Sequence, residues 1–208
     1  MKGIFKTLAI SSLVFGAASA QAIPVEISFT ADNVTDSGGL CATADCLGGT
    51  GWAALGAVPN SANWRAADSV TVDLGVGTHW FAWLVSNTGT GSANNPAALL
   101  AEILWDGSSN SSSALWEVST DNGATWEVAT SYGANGGNNI WNSVNGGPVS
   151  GISGNAEWIW TPYNHNIEMH NSAWLRTSIT IASVPEPGTL ALLGLGLAGI
   201  GFSRRRTR

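Results

Sequence analysis

The sequence predicts an all-β protein, with a single antiparallel β-sandwich or jelly roll between two apolar chain ends. Short runs in which apolar and polar residues alternate recur through the middle of the chain, as they do in half-buried strands. Clusters of Gly, Asn and Ser separate these runs and favour turns. Many short strands joined by turns are typical of sandwiches and jelly rolls.

The first 22 residues have the three parts of a secretory signal peptide. Lys2 and Lys6 precede an uncharged apolar run from Leu8 to Ala18, and small residues follow. Cleavage after Ala20 or, alternatively, after Ala22 fits the usual small-residue pattern. A first helix of the domain is disfavoured because the run has no polar face. We therefore expect residues 1–22 to be a signal peptide.

Residues 23–183 are expected to form one domain, because no charged linker, proline-rich hinge or long repeat interrupts them. The clearest strand patterns lie at residues 25–30, 70–74, 80–85, 99–105 and 174–181. The segment 97–104 also contains good helix formers, so one short helix is an alternative there.

A β-hairpin is predicted where two similar segments, Leu115–Val118 and Thr125–Val128, flank Asp121-Asn122-Gly123. Asn and Gly tolerate the positive φ that tight hairpin turns need. Residues 119–126 also resemble an Asp-box, a motif that repeats in sialidase-type propellers. A propeller needs several blades of ~40–45 residues each, whereas this motif occurs once, so it indicates a hairpin and not an activity.

Residues 184–208 have three parts of their own. Val184, Pro185, Glu186 and Pro187 come first, an uncharged stretch from Gly188 to Phe202 follows, and an arginine cluster at 204–206 and 208 ends the chain. The apolar stretch is short for a transmembrane helix, which usually needs ~20 residues. The arginines mark its cytoplasmic side. A transmembrane helix that simply stays in place as an anchor is one interpretation.

This three-part pattern resembles the PEP-CTERM sorting signal. The resemblance implies that an exosortase cuts the chain near the Pro-Glu-Pro motif, so that the C-terminal helix holds the protein in the inner membrane only transiently. It also implies export to the surface or biofilm matrix of a Gram-negative bacterium that makes exopolysaccharide.

The two ends conceal how acidic the middle of the chain is. The whole chain has 8 Lys and Arg against 14 Asp and Glu, a net charge of −6. Six basic residues and Glu186 lie in the ends, so residues 23–183 keep two arginines and 13 acids, a charge of −11. This charge excludes a nucleic-acid binder that uses a basic surface. It also disfavours an anionic polysaccharide as a partner unless calcium bridges the two.

Cys41 and Cys46 lie close together in a Gly- and Ala-rich segment. In an exported protein the usual outcome for such a pair is a disulfide. A zinc site would need further ligands, and no histidine lies nearby in sequence. We therefore expect a Cys41–Cys46 disulfide.

A structural calcium ion is the metal that the sequence favours, because carboxylate, amide and backbone oxygens in loops suit a hard cation. Asp32, Asn33 and Asp36 are the candidate ligands. The histidines are less suitable, since His165 and His170 are five residues apart and would face opposite sides of a strand. His79 is distant from both in sequence.

Several segments of the domain have sequences similar to those of a known family of β-sandwiches. They are Phe29-Thr30-Ala31-Asp32-Asn33, Ala62-Asn63-Trp64, Val72 to His79, Asn95 to Glu102, Ala156-Glu157-Trp158-Ile159-Trp160 and Leu175-Arg176-Thr177. Together they resemble the galactose-binding-like β-sandwich, an accessory domain of secreted glycosidases and surface proteins. The resemblance implies a fold of that type and a role in binding carbohydrate.

The 11 tryptophans all lie between Trp52 and Trp174. Most are expected in the core, because aromatic side chains carry a large apolar area. The alternation of the strands assigns Trp116, Trp126, Trp158 and Trp160 to the core.

Other tryptophans are candidates for contact with sugar rings. Trp52, Trp64 and Trp141 lie among Gly, Asn and Ser, so we expect loops to display them as ligand-binding residues. Arg65, next to Trp64, is the better basic ligand candidate. Arg176 is expected to pair with a buried acid such as Glu157.

No catalytic constellation stands out. Glycoside hydrolysis needs two carboxylates at a fixed separation, and nothing in the sequence pairs Glu102, Glu117, Glu127 or Glu157. The sequence has no nucleophile elbow, zinc-protease motif or phosphate loop. We therefore expect a non-catalytic protein that binds extracellular polysaccharide. The alternatives are a purely structural or adhesive matrix protein and, third, a glycan hydrolase.

Overall fold

The computed structural model describes residues 22–45, 47, 51–56, 58–92, 95–162, 170–182 and 194–197. The chain divides into two compact units, one of residues 21–182 and one formed by the two ends. In the second unit the described residues are 194–197, which are helical. Within the ranges given above, no helix is long and apolar enough to cross a membrane. Almost all of the predicted signal peptide and most of the predicted C-terminal helix lie outside the described residues.

The described part of residues 21–182 is mostly β-structure, in two antiparallel sheets. Its strands are β1 (Ile23–Asp32), β2 (Val34–Cys41), β3 (Ala53–Ala54), β4 (Asp68–Leu74), β5 (Gly77–Ser86), β6 (Ala98–Trp105), β7 (Ser108–Ser111), β8 (Glu117–Ser119), β9 (Glu127–Val128), β10 (Thr130–Ala134), β11 (Glu157–Trp160) and β12 (Ser172–Ile181). Sheet A has the order β10-β11-β6-β1-β4, with β7 beside β6, and sheet B has the order β3-β2-β5-β12-β8-β9. The prediction of an all-β fold is confirmed.

The strand that the sequence left open to a helix is β6. It lies in the middle of sheet A, where β1 and β7 pair with it on its two sides. Its first six residues are buried. This near-continuous burial explains why the segment lacks a clear alternation, and the cross-strand contacts override its helix propensity.

The inner faces of the two sheets meet in one hydrophobic core. Phe29 of sheet A and Trp83 of sheet B pack with ring centroids 5.9 Å apart. The Trp83 ring also stacks on Phe81 at 6.4 Å and on Trp116 at 5.5 Å. Burying these large apolar surfaces provides the main stabilisation of the two-layer arrangement.

The prediction of core tryptophans is confirmed for Trp116, Trp158 and Trp160, which are buried. It is wrong for Trp126, which is half-buried. The register of the hairpin explains the difference, because Val128 lies opposite Glu117 rather than opposite Val118. The face of β9 that carries Trp126 and Val128 therefore turns away from the core, and Val128 is 66% exposed.

A second, smaller hydrophobic cluster covers part of the outer face of sheet A. Leu100 and Trp158 project from the sheet, and Trp141, Val149 and Ile152 pack over them. Trp141 comes from the only described helix of this unit, α1 (Ile140–Asn145). The rest of this outer face carries no such layer among the described residues.

The predicted hairpin is present as β8 and β9. In its turn, Asp121 Oδ2 accepts a hydrogen bond from the Thr125 hydroxyl at 2.6 Å, and Oδ1 accepts one from the Thr125 N–H at 2.9 Å. The Ser119 hydroxyl donates to Asp121 at 2.7 Å. Asn122 and Gly123 have positive φ values of 58° and 84°. The sequence signature of the Asp-box therefore corresponds to a hydrogen-bonded turn.

Candidate functional site

A pocket of about 160 Å³ lies where β1 ends, beside the second hydrophobic cluster. Its lining combines two groups of residues that the sequence suggested separately, the aromatic and basic candidates and the candidate calcium ligands. The lining residues are Asp32, Asn33, Trp64, Arg65, Asn95, Pro96, Ile140, Trp141 and Val144. Five of the seven predicted ligand or metal residues therefore lie around one cavity.

The carboxylate of Asp32 is the most buried charged group of the pocket. Asp32 is the last residue of β1 and is 5% exposed. Its Oδ2 accepts a hydrogen bond from the Trp141 Nε1 at 2.9 Å, and its Oδ1 accepts one from the Asn33 amide. Burial raises the pKa of Asp32 above its ordinary 3.8, although these hydrogen bonds and the charge of Arg65 act in the opposite direction.

Trp64 and Arg65 form one wall of the pocket. The Arg65 guanidinium lies over the Trp64 ring, 4.5 Å from its centroid, and the edge of that ring contacts Trp158 at 6.1 Å. Arg65 is exposed, and its side chain forms no ion pair with any described residue. One face of Trp64 is thus occupied by the guanidinium, whose N–H donors remain available to a ligand.

Trp141 also lines the pocket, but the expectation that a loop displays it was wrong. It lies on α1, is 3% exposed, and stacks on Trp158 at 4.7 Å. Asn139 caps the helix, because its side chain accepts a hydrogen bond from the Asn142 N–H. The capped turn directs the indole onto sheet A, so that its N–H reaches Asp32 and its ring supports the pocket.

The sequence did not suggest the residues of the rim. Ile140 and Val144 are 38% and 58% exposed and lie one helical turn apart on α1. Asn95 holds the neighbouring loop, since its amide donates to the carbonyls of Thr88 and Thr90 at 3.0 and 3.2 Å. The Asn139 cap followed by two aliphatic residues four positions apart was the signal that could have indicated this helix.

The comparisons with known proteins identify one segment of the chain. Residues 183–206 match the family model of the PEP-CTERM protein-sorting motif. The chain carries a PEP-CTERM sorting motif. No curated protein and no solved structure matches the chain. The matched segment includes Val184, Pro185, Glu186 and Pro187, so the prediction of a PEP-CTERM sorting signal is confirmed. The match does not cover the residues that line the pocket.

Two candidate residues lie outside the pocket. Trp52 is half-buried, and its ring packs edge-on against Trp174 at 5.6 Å. Asp36 is exposed on β2, at a break in the register with β5. The proposed calcium ligands therefore do not converge, since Asp32 and Asn33 line the pocket and Asp36 does not. Among the described residues, no group of three or more His, Cys, Asp or Glu could hold a metal ion.

The structure describes some of the cysteine, histidine and arginine contacts that the sequence predicts. Cys41 is disulfide-bonded, while Cys46, the other cysteine of the sequence, lies outside the described residues. His79 forms a hydrogen bond through Nε2 with the Gly75 carbonyl at 2.8 Å, and His165 is not described. The expected pairing of Arg176 with Glu157 is wrong.

Arg176 pairs with Glu117 instead, because the two residues lie opposite each other in the β8–β12 register. The distance from Arg176 Nε to Glu117 Oε2 is 2.7 Å. Glu157 and Glu102 also have structural partners, since Glu157 accepts from the Ala114 N–H and Glu102 from the Ser153 N–H. Glu127, the fourth carboxylate, is exposed on β9.

Proposed function

We propose that this chain is an exported protein, processed by an exosortase, that binds saccharide without catalysis at the cell surface or in the biofilm matrix. The PEP-CTERM motif supports export and exosortase processing. The pocket around Asp32 supports saccharide binding. The resemblance to galactose-binding-like sandwiches supports the same function, and the two antiparallel sheets agree with it.

The observation that carries the proposal is the chemistry that converges on this pocket. A buried carboxylate accepts hydrogen bonds from sugar hydroxyls, and the Arg65 guanidinium donates to hydroxyl or carbonyl oxygens. The exposed side chains of Ile140 and Val144 supply apolar surface for the C–H groups of a sugar ring. A cavity with apolar walls and a few placed polar groups is the usual form of a small-ligand site.

Binding to a glycan panel and to exopolysaccharide from the producing cells tests the proposal. We expect the full chain to bind at least one panel member, and Arg65→Ala to weaken that binding at least tenfold, because a hydrogen bond to a charged group contributes ~1.5–3 kcal/mol. Glu127→Gln, which alters an exposed carboxylate of sheet B, serves as the control and should bind normally.

Two results would replace this function with another. Self-association without any saccharide binding would favour the structural or adhesive alternative. Turnover of the polysaccharide, abolished by one Glu→Gln change at position 102, 117, 127 or 157, would favour a hydrolase.

A further inference from the structure

A second concave surface lies on sheet A, on the part of its outer face that the Trp141 cluster does not cover. It is a groove of about 570 Å³, within the ~300–1,000 Å³ range of ligand sites. Its lining is formed by Pro24, Glu26, Thr71, Glu102, Leu104, Trp105, Asp106, Gly107, Ser108 and Ser109. It shares no residue with the pocket around Asp32.

The strand register builds the floor of the groove from a row of outward side chains. Thr71, Glu26, Leu104 and Ser109 lie side by side on β4, β1, β6 and β7. All four are exposed, Leu104 by 39%. Four strands spaced ~4.8 Å apart give a row of about 15 Å, which suits an extended chain rather than a compact ligand.

A second row runs next to the first and is also polar. It contains Ser69, Ser28, Glu102 and Ser111 on the same four strands. Glu102 is held in place, because its Oε1 accepts from the Ser111 hydroxyl at 3.2 Å and its Oε2 from the Ser153 N–H at 2.9 Å. Of this second row, Glu102 lines the groove and adds a carboxylate beside the hydroxyls of Thr71 and Ser109 and the aliphatic side chain of Leu104.

The groove is negatively charged, and no basic residue of its lining neutralises that charge. Glu26, Glu102 and Asp106 are its charged residues, and no Lys or Arg belongs to the lining. Glu26 has no ion-pair or hydrogen-bond partner among the described residues. These carboxylates do not form a group that could hold a metal ion. Negative charge spread along a groove attracts a ligand whose positive charges are also spread along its length.

We propose that this groove binds a glycan chain that carries protonated amino groups, such as a polymer of de-N-acetylated hexosamine. Its ammonium groups would pair with Glu26, Glu102 and Asp106, while Thr71 and Ser109 bond its hydroxyls and Leu104 contacts a ring face. An anionic polysaccharide would be repelled, and a neutral chain would leave the carboxylates without counter-charges. This site is separate from the one in the proposed function and does not depend on it.

The test compares two probes that differ only in the amine, a glucosamine oligomer and its fully N-acetylated counterpart. Titration calorimetry on the full chain is done at mildly acidic pH, which keeps the amines of the glucosamine oligomer protonated. We expect the glucosamine oligomer to bind at least tenfold more tightly, and its affinity to fall steeply with salt. Glu26→Gln should weaken it about two- to fivefold, the effect of one solvent-facing charge pair.

Matched variants separate this site from the pocket and from general effects of charge. Glu127→Gln removes the same charge from the other sheet and should leave binding within twofold. Arg65→Ala alters the pocket around Asp32 and not the groove, so the affinity for the glucosamine oligomer should also be unchanged. Glu26 is exposed, so its variant should unfold at the normal denaturant concentration.

Three results would overturn the proposal. They are equal binding of the two oligomers, normal binding by Glu26→Gln, and loss of binding in Arg65→Ala, which would assign the oligomer to the first pocket. The first two results leave saccharide binding in the first pocket standing, because its own test rests on the glycan panel and on Arg65→Ala, and the third result would support it.

Discussion

Arg176 shows how one buried cation can organise several elements of this acidic domain. Its guanidinium lies 3.8 Å from the centroid of the Trp126 ring and 5.0 Å from that of Trp80. It also donates to Glu117 at 2.7 Å and to the Ala44 carbonyl at 2.8 Å. One side chain of β12 thus joins β5, the hairpin and the segment that follows Cys41. Arg suits this position because its planar group stacks and donates simultaneously.

We predict that Arg176→Ala lowers the free energy of unfolding by about 2–4 kcal/mol, because a desolvated cation–π contact contributes ~2 kcal/mol and a charged hydrogen bond adds ~1.5–3 kcal/mol. The estimate is reduced because Glu117 is 38% exposed. Urea denaturation measures the change. Arg65→Ala is the control, because Arg65 also lies over a tryptophan but is exposed, and it should cost less than ~1 kcal/mol. Equal losses in the two variants would contradict this account.

The turn of the β8–β9 hairpin contains a carboxylate, Asp121, whose ionised form its hydrogen bonds stabilise. The pKa of Asp121 is lowered from 3.8 to about 2, chiefly because the Thr125 hydroxyl and N–H donate to its carboxylate, with a further hydrogen bond from Ser119. A carboxylate that accepts several hydrogen bonds favours its ionised form. Because the folded-state pKa lies below the ordinary value, the resulting stabilisation is present above about pH 4 and is lost as the pH falls towards 2.

We predict that Thr125→Val raises the pKa of Asp121 towards 3.8, because it removes the hydroxyl donor and keeps the backbone N–H. NMR titration of the carboxyl carbon measures the pKa in the folded protein. Thr71→Val, on sheet A, is the control and should leave the titration of Asp121 unchanged. A midpoint near 2 in Thr125→Val would show that the hydroxyl has no part in the shift.

Local sequence patterns predicted the strands and the hairpin of this domain better than they predicted the pocket. Alternation and turn residues act over a few positions, so β1, β4 and β12 could be found from the sequence. The contact between Asp32 and Trp141 joins residues 109 positions apart, and no local pattern indicates it. Five residues of the pocket could be predicted as ligand or metal candidates from their side-chain chemistry. That they lie around one cavity could not, because it depends on where α1 packs on sheet A.

The sorting motif at residues 183–206 implies a specific processing step. If an exosortase processes the chain, the exported protein loses the segment that ends in Arg204, Arg205, Arg206 and Arg208, and the remaining domain is left strongly acidic. We expect replacement of Pro185, Glu186 and Pro187 by alanine to leave the tail attached and the protein in the membrane fraction. Intact-mass spectrometry after cell fractionation distinguishes the two forms by the mass of the tail. Thr189→Ala, two residues after Pro187, is the control and should be processed normally. Release of the triple variant at the mass of the processed wild type would show that Pro-Glu-Pro does not direct cleavage.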